Sequence, residues 1–108
     1  MGADLVRIYH DPITTFQDEY WLIDGFWVEI VRFYDLRYST FPSEWSAVFV
    51  VFDEVDDNTY RYSNCRGCYC HQNGEVIIDG SDEFSKDLIE EIISIFAPPF
   101  EEVKVTYE

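Results

Sequence analysis

The sequence predicts an α+β fold: a mainly antiparallel sheet of five to seven strands in a meander with hairpins, one C-terminal amphipathic helix packed on a face, and a final strand. Three observations predict it. Short runs rich in Val, Ile, Tyr, Phe and Trp alternate with turn residues as far as Gly80. Asp24-Gly25 and Asn73-Gly74 join two pairs of such runs, and these dipeptides select hairpin turns because they tolerate positive φ. From Ser81 the apolar spacing becomes that of a helix. A length of 108 residues is a common size for one domain, so residues 1–108 are read as a single acidic domain with one core.

The first strand, residues 5–9, stops at Asp11-Pro12. Residues 20–23 and 26–31 flank Asp24-Gly25 as the first hairpin. In its second arm Phe26, Val28 and Ile30 make the all-apolar side that should face the core, while Trp27, Glu29 and Val31 point the other way. Residues 38–43 read as a loop by their Ser, Thr and Pro. A strand over about 46–53 follows, and its nearly continuous apolar run from Ala47 to Phe52 is the pattern of a strand buried on both faces. Residues 53–58 turn the chain, and the return strand starts at Thr59. Residues 68–71 and 75–78 form another hairpin about Asn73-Gly74. Ser81 is the expected N-cap of a helix over 82–96, with Asp82 and Glu83 at its positive end and Phe84, Leu88, Ile92 and Ile95 at helical spacing. Pro98-Pro99 cannot continue it. Residues 102–107 close the chain as an alternating strand with Val103, Val105 and Tyr107 inward.

An apolar share of 47% and an aromatic share of 19% exceed those of a disordered acidic tail, which carries too little apolar surface to offset chain entropy. The chain should fold, and the aromatic excess can furnish an interface. Its charge is the more unusual property: 22 acidic against 7 basic residues leave a net −15. Such a charge speaks of partners rather than of fold. It opposes direct nucleic-acid binding, which needs cations on the phosphates, and it opposes an anionic membrane surface. It favours a basic protein, and surfaces that grip DNA or RNA are the most basic in a cell. The plainer reading is that the acids only keep an aromatic-rich domain soluble. No apolar run reaches 18 residues, the first residues lack a secretory pattern, and Val6 stands where a myristoylation signal needs Ser or Thr. Three cysteines without an export signal point to reduced thiols in the cytoplasm.

Cys65, Cys68, Cys70 and His71 are the densest group of metal-capable side chains. They lack the second ligand pair of a structural zinc site, so small core residues, with Cys68 and Cys70 on one face of a strand and Cys65 in a loop, are the expectation, and no cofactor is expected. A thioredoxin-like role needs Cys-x-x-Cys at the start of a helix, and here a hairpin follows. Catalytic motifs are missing: two histidines, no phosphate loop, no nucleophile elbow. The 53–58 segment lacks the ligand pattern of a calcium loop. The acidic groups themselves are the better candidates for partner binding. Glu83, Asp87, Glu90 and Glu91 share one face of the expected helix and span roughly 12 Å at 1.5 Å per residue. With Asp53, Glu54, Asp56 and Asp57 they could imitate a short stretch of phosphate backbone, which carries about one charge per 1.7 Å of duplex axis. A solvated helix face is the simpler reading, although only Lys86 neutralises it locally.

The sequence therefore leads to a non-catalytic acidic inhibitor that occupies the DNA- or RNA-binding surface of a basic protein, such as a nuclease. Phage anti-restriction and anti-CRISPR proteins share this general character. The alternatives are an immunity protein that masks a nuclease toxin and a small zinc-stabilised interaction module built on residues 65–71.

Overall fold

The computed structural model describes residues 2–10, 16–33, 46–70, 74–96 and 103–108. These residues form an α+β fold, as the sequence predicts. The strands are β1 (Ala3–His10), β2 (Phe16–Ile23), β3 (Phe26–Phe33), β4 (Ser46–Asp56), β5 (Thr59–Cys70), β6 (Glu75–Asp79) and β7 (Lys104–Tyr107); a 3₁₀ turn (Ser81–Glu83) and the helix α1 (Lys86–Phe96) lie between β6 and β7. All seven strands join one sheet in sequence order. Each of β2 to β6 is antiparallel to its predecessor, and β7 runs parallel to β6 because a helix intervenes and returns the chain to its starting end.

Turn chemistry sets the register of the first hairpin. Asp24 and Gly25 both take positive φ, 51° and 85°, and the two-residue turn pairs Ile23 with Phe26, Tyr20 with Glu29 and Asp18 with Val31. Alternation then sends Val28 and Ile30 to the core, as expected. Phe26 shares their side of the strand, stays 39% exposed near the turn, and meets Phe84 edge to face with ring centroids 5.3 Å apart.

One face of the sheet carries the core. Ile23, Val28, Ile30, Phe49, Val51, Cys65, Tyr69, Val76 and Ile78 pack beneath Leu88, Ile89 and Ile92 of α1. At the far end of the helix Arg32 donates to the carbonyl of Ile95 at 3.1 Å and to Glu19 at 2.7 Å. Glu19 also accepts from Trp21 and Gln17. Burial alone would raise the Glu19 carboxyl, but these donors together hold it below its ordinary value. Val103 and Val105 pack against the core as expected, whereas Tyr107 remains 47% exposed.

Four further expectations need correction. The strand expected to be buried on both faces, β4, is buried on one: Ala47, Phe49 and Val51 are buried, but Val48 is 37% exposed, because α1 lies on the other side. The turn expected over 53–58 shrinks to Asp57 and Asn58, so Asp53, Glu54 and Asp56 belong to β4. Cys65 lies in the continuous strand β5 and not in a loop. Finally, Ser81 opens a 3₁₀ turn instead of α1: the chain is extended at Phe84, where the ring engages Phe26, and Ser85 caps the helix through Oγ, which accepts from the Leu88 N–H at 3.2 Å. The expected loop at 38–43, the helix stop at 98–99 and His71 lie outside the described residues.

Candidate functional site

In a meander successive turns alternate between the two ends of the sheet, so turns separated by two strands share an end. The β2–β3 turn, the β4–β5 turn and the 3₁₀ turn after β6 obey this rule. The sequence places acids at all three. Asp24, Glu54, Asp56, Asp57, Asp79, Asp82 and Glu83 are exposed there, and Asp87 follows on the first turn of α1. Asp4 joins them, since it pairs with Leu22 beside the first turn. Arg61, Arg66 and Lys86 are the exposed cations near this end, while Arg32 is spent inside the protein on Glu19. The crowding registers on a buried probe: burial first, then the charges of Glu83, Asp79 and Asp82, push the Cys65 thiol up to about 11.

This pole gathers most of the acids singled out in the sequence. Asp53, Glu54, Asp56 and Asp57 sit on the β4–β5 arm, and Glu83 and Asp87 stand at the same end. The expected helical stripe does not form as such. Glu83 precedes α1, Glu90 lies a turn further along, and Glu91 is half-buried with Oε2 lacking a hydrogen-bond partner. From Glu54 to Tyr62 the arm is exposed on both faces. Aromatic contacts support its base: Phe52 and Tyr62 have centroids 4.8 Å apart, and Trp27 meets Tyr60 edge to face at 6.2 Å.

The sheet face away from α1 holds a second feature. A hollow of about 510 Å³ is floored by Val31, Val48, Val50 and Ile77 and walled by Glu29 and Tyr62. A bulge helps to shape it: Phe52 pairs with Tyr62 and Val50 with Arg66, so β5 takes four steps where β4 takes two. Glu29 is 8% exposed and accepts from the Tyr62 hydroxyl at 2.8 Å. Asp18, on the neighbouring strand, lies diagonally beside Glu29, and burial followed by the proximity and charge of Glu29 pushes it up to about 7. Burial, then Glu29, pushes the Tyr20 phenol up to about 12, and its bond to Glu29, then burial, raises that of Tyr62. Such a cluster can hold one proton near neutrality or receive a cation in its place.

The structure does not bring Cys65 and Cys68 together, and it reverses the expectation that Cys68 is the core residue. Cys65 is buried in the core, whereas Cys68 is exposed on the opposite face of β5. A thiol pushed up as far as that of Cys65 is also a poor ligand and nucleophile. The backbone of Cys70 closes β5. Among the described residues no group of three or more His, Cys, Asp and Glu is placed to hold a metal ion, and no helix is long and apolar enough to cross a membrane. Sequence reasoning missed the Asp18–Glu29 pair. The signal was present: a two-residue turn at Asp24-Gly25 makes Asp18 and Glu29 diagonal neighbours on one face once β2 is extended back to Phe16. Compared with protein-family models, curated proteins and solved structures, the chain matches none.

Proposed function

We propose that this protein is a non-catalytic acidic inhibitor that covers the nucleic-acid-binding surface of a basic protein, in the manner of phage anti-restriction and anti-CRISPR proteins. The convergence of three acidic turns on one end of the sheet supports this reading most directly. Dispersed acids would serve solubility equally well, whereas a one-ended concentration focuses potential and steers a basic partner. The protruding β4–β5 arm supplies reach, and the aromatic rings at its base supply contacts that can anchor an interface.

The test is affinity capture from host lysate with salt elution, comparing the wild type with two variants. Neutralising the pole (Asp53→Asn, Glu54→Gln, Asp56→Asn, Asp57→Asn, Glu83→Gln, Asp87→Asn) should slow association by about tenfold or more and flatten its salt dependence. Glu90→Gln, away from the pole, should change little. Equal behaviour of the pole variant and the wild type, or capture of nothing basic, would reduce the pole to solvated surface.

A further inference from the structure

We propose that the hollow on the sheet face away from α1 seats an arginine side chain of the basic partner, its stem on Val48, Val50 and Ile77 and its guanidinium against Glu29, which has Asp18 beside it on the neighbouring strand. This inference rests on the proposed function for the identity of the partner, but not for the chemistry of the hollow.

The antiparallel sheet should be polar on its free face, since that face meets water. Here the floor is valine and isoleucine, and Val48 and Ile77 remain 37% and 39% exposed. An exposed apolar depression marks a contact surface. The wall determines what fits. Glu29 is almost wholly buried and accepts from the Tyr62 hydroxyl. Asp18 presents a buried Oδ1 with no hydrogen-bond partner and accepts only a long 3.4 Å bond from Tyr20 at Oδ2. The pair has more acceptors than donors, so a ligand must bring donors and positive charge. Guanidinium brings five N–H groups in a plane suited to carboxylates, and its apolar stem suits the floor. The phenol ring of Tyr62, which lines the hollow, can contact the same cation. The other charged groups about the site are Glu19, which adds negative charge at Asp18, Arg7, which pairs with Tyr20 on the Asp18 face of the sheet, and Arg66 and Asp79, cross-strand neighbours at the opposite rim that offset one another. In the unbound protein the carboxyl pair keeps a proton, so seating the cation expels it, and binding is proton-linked.

The full-length protein can be titrated with N-acetyl-arginine methylamide, using the neutral citrulline analogue as the control and backbone amide shifts as the readout. Saturable shifts should appear at Asp18, Glu29, Val48, Val50 and Ile77 with the arginine probe and fail to appear with citrulline. Affinity should fall roughly tenfold from pH 8 to pH 6 as Asp18 takes up its proton. Glu29→Gln keeps an oxygen for Tyr62 and should weaken binding by about tenfold or more. Asp18→Asn should weaken it and abolish the pH dependence. Shifts confined to the acidic pole, equal shifts with citrulline, or indifference to Glu29→Gln overturn the inference. The arms separate the two proposals. An arginine probe that fails to seat while the pole variant loses its partner removes only this site, and a probe that seats while no basic protein is captured removes only the inhibitor reading.

Discussion

Asp18 shows how strongly one side chain's chemistry depends on its neighbour across the hairpin. Its carboxyl is pushed up to about 7 from a value near 3.8, so the folded protein holds this proton more tightly than the unfolded chain does. The stability it contributes is complete below about pH 4 and is lost as pH rises through about 7. Glu19, one residue away on the opposite face, acts in the other direction: its lowered carboxyl contributes stability that is lost only as pH falls through its folded value. Asp18→Asn should therefore become more stable relative to the wild type as pH rises from 4 to 8. Urea midpoints of both proteins across that range check it, and a constant difference would show that Asp18 titrates normally. The pair was legible in the turn at Asp24-Gly25, whose two-residue geometry fixes every later partner. It went unread because Phe16 to Glu19 show too little apolar alternation to announce a strand.

At the scale of the element, α1 illustrates a misleading local signal. Ser81, followed by Asp82 and Glu83, satisfies the sequence signature of a helix start, yet the cap is Ser85. Phe84 decides the matter by leaving helical conformation to meet Phe26, a residue 58 positions earlier that no local pattern could associate with it. Ser85→Ala should cost about 1 kcal/mol by removing the acceptor for the Leu88 N–H. Ser81→Ala should cost markedly less, since Ser81 stands inside the 3₁₀ turn, after its N-cap Gly80, and not at the start of α1. Denaturant unfolding of the two variants decides; equal losses would place the cap elsewhere. The apolar stripe of Leu88, Ile89 and Ile92 was correct in sequence because helical periodicity alone specifies which residues share a face.

Over the whole molecule, a net charge of −15, with many of the described acids gathered at one end of the sheet, couples stability and binding through salt in opposite senses. Screening relieves repulsion among Asp79, Asp82 and Glu83, and it weakens attraction to a basic partner. Raising the salt from about 0.05 to 0.5 M should lift Tm by a few degrees, on the scale at which about 1 kcal/mol moves a domain of this size by 4 to 8 °C. The same change should release the captured partner. A Tm that is flat or falls with salt would mean that the acids do not repel one another appreciably in the folded state.

Sequence by itself determined the α+β class, the antiparallel meander, the Asp24-Gly25 hairpin and the face that α1 buries. Each follows from short-range periodicity or from the φ that a turn residue can adopt. Tertiary structure alone decided that Cys65 and Cys68 point apart, that β4 is buried on one side, and that Phe84 postpones the helix. It also decided what the carboxylates do. The acidic turns converge because an even number of strands separates them, and Asp18 meets Glu29 because the pairing register places them diagonally. Charge read along the chain carries neither relation, since both depend on distances between residues that the sequence keeps apart.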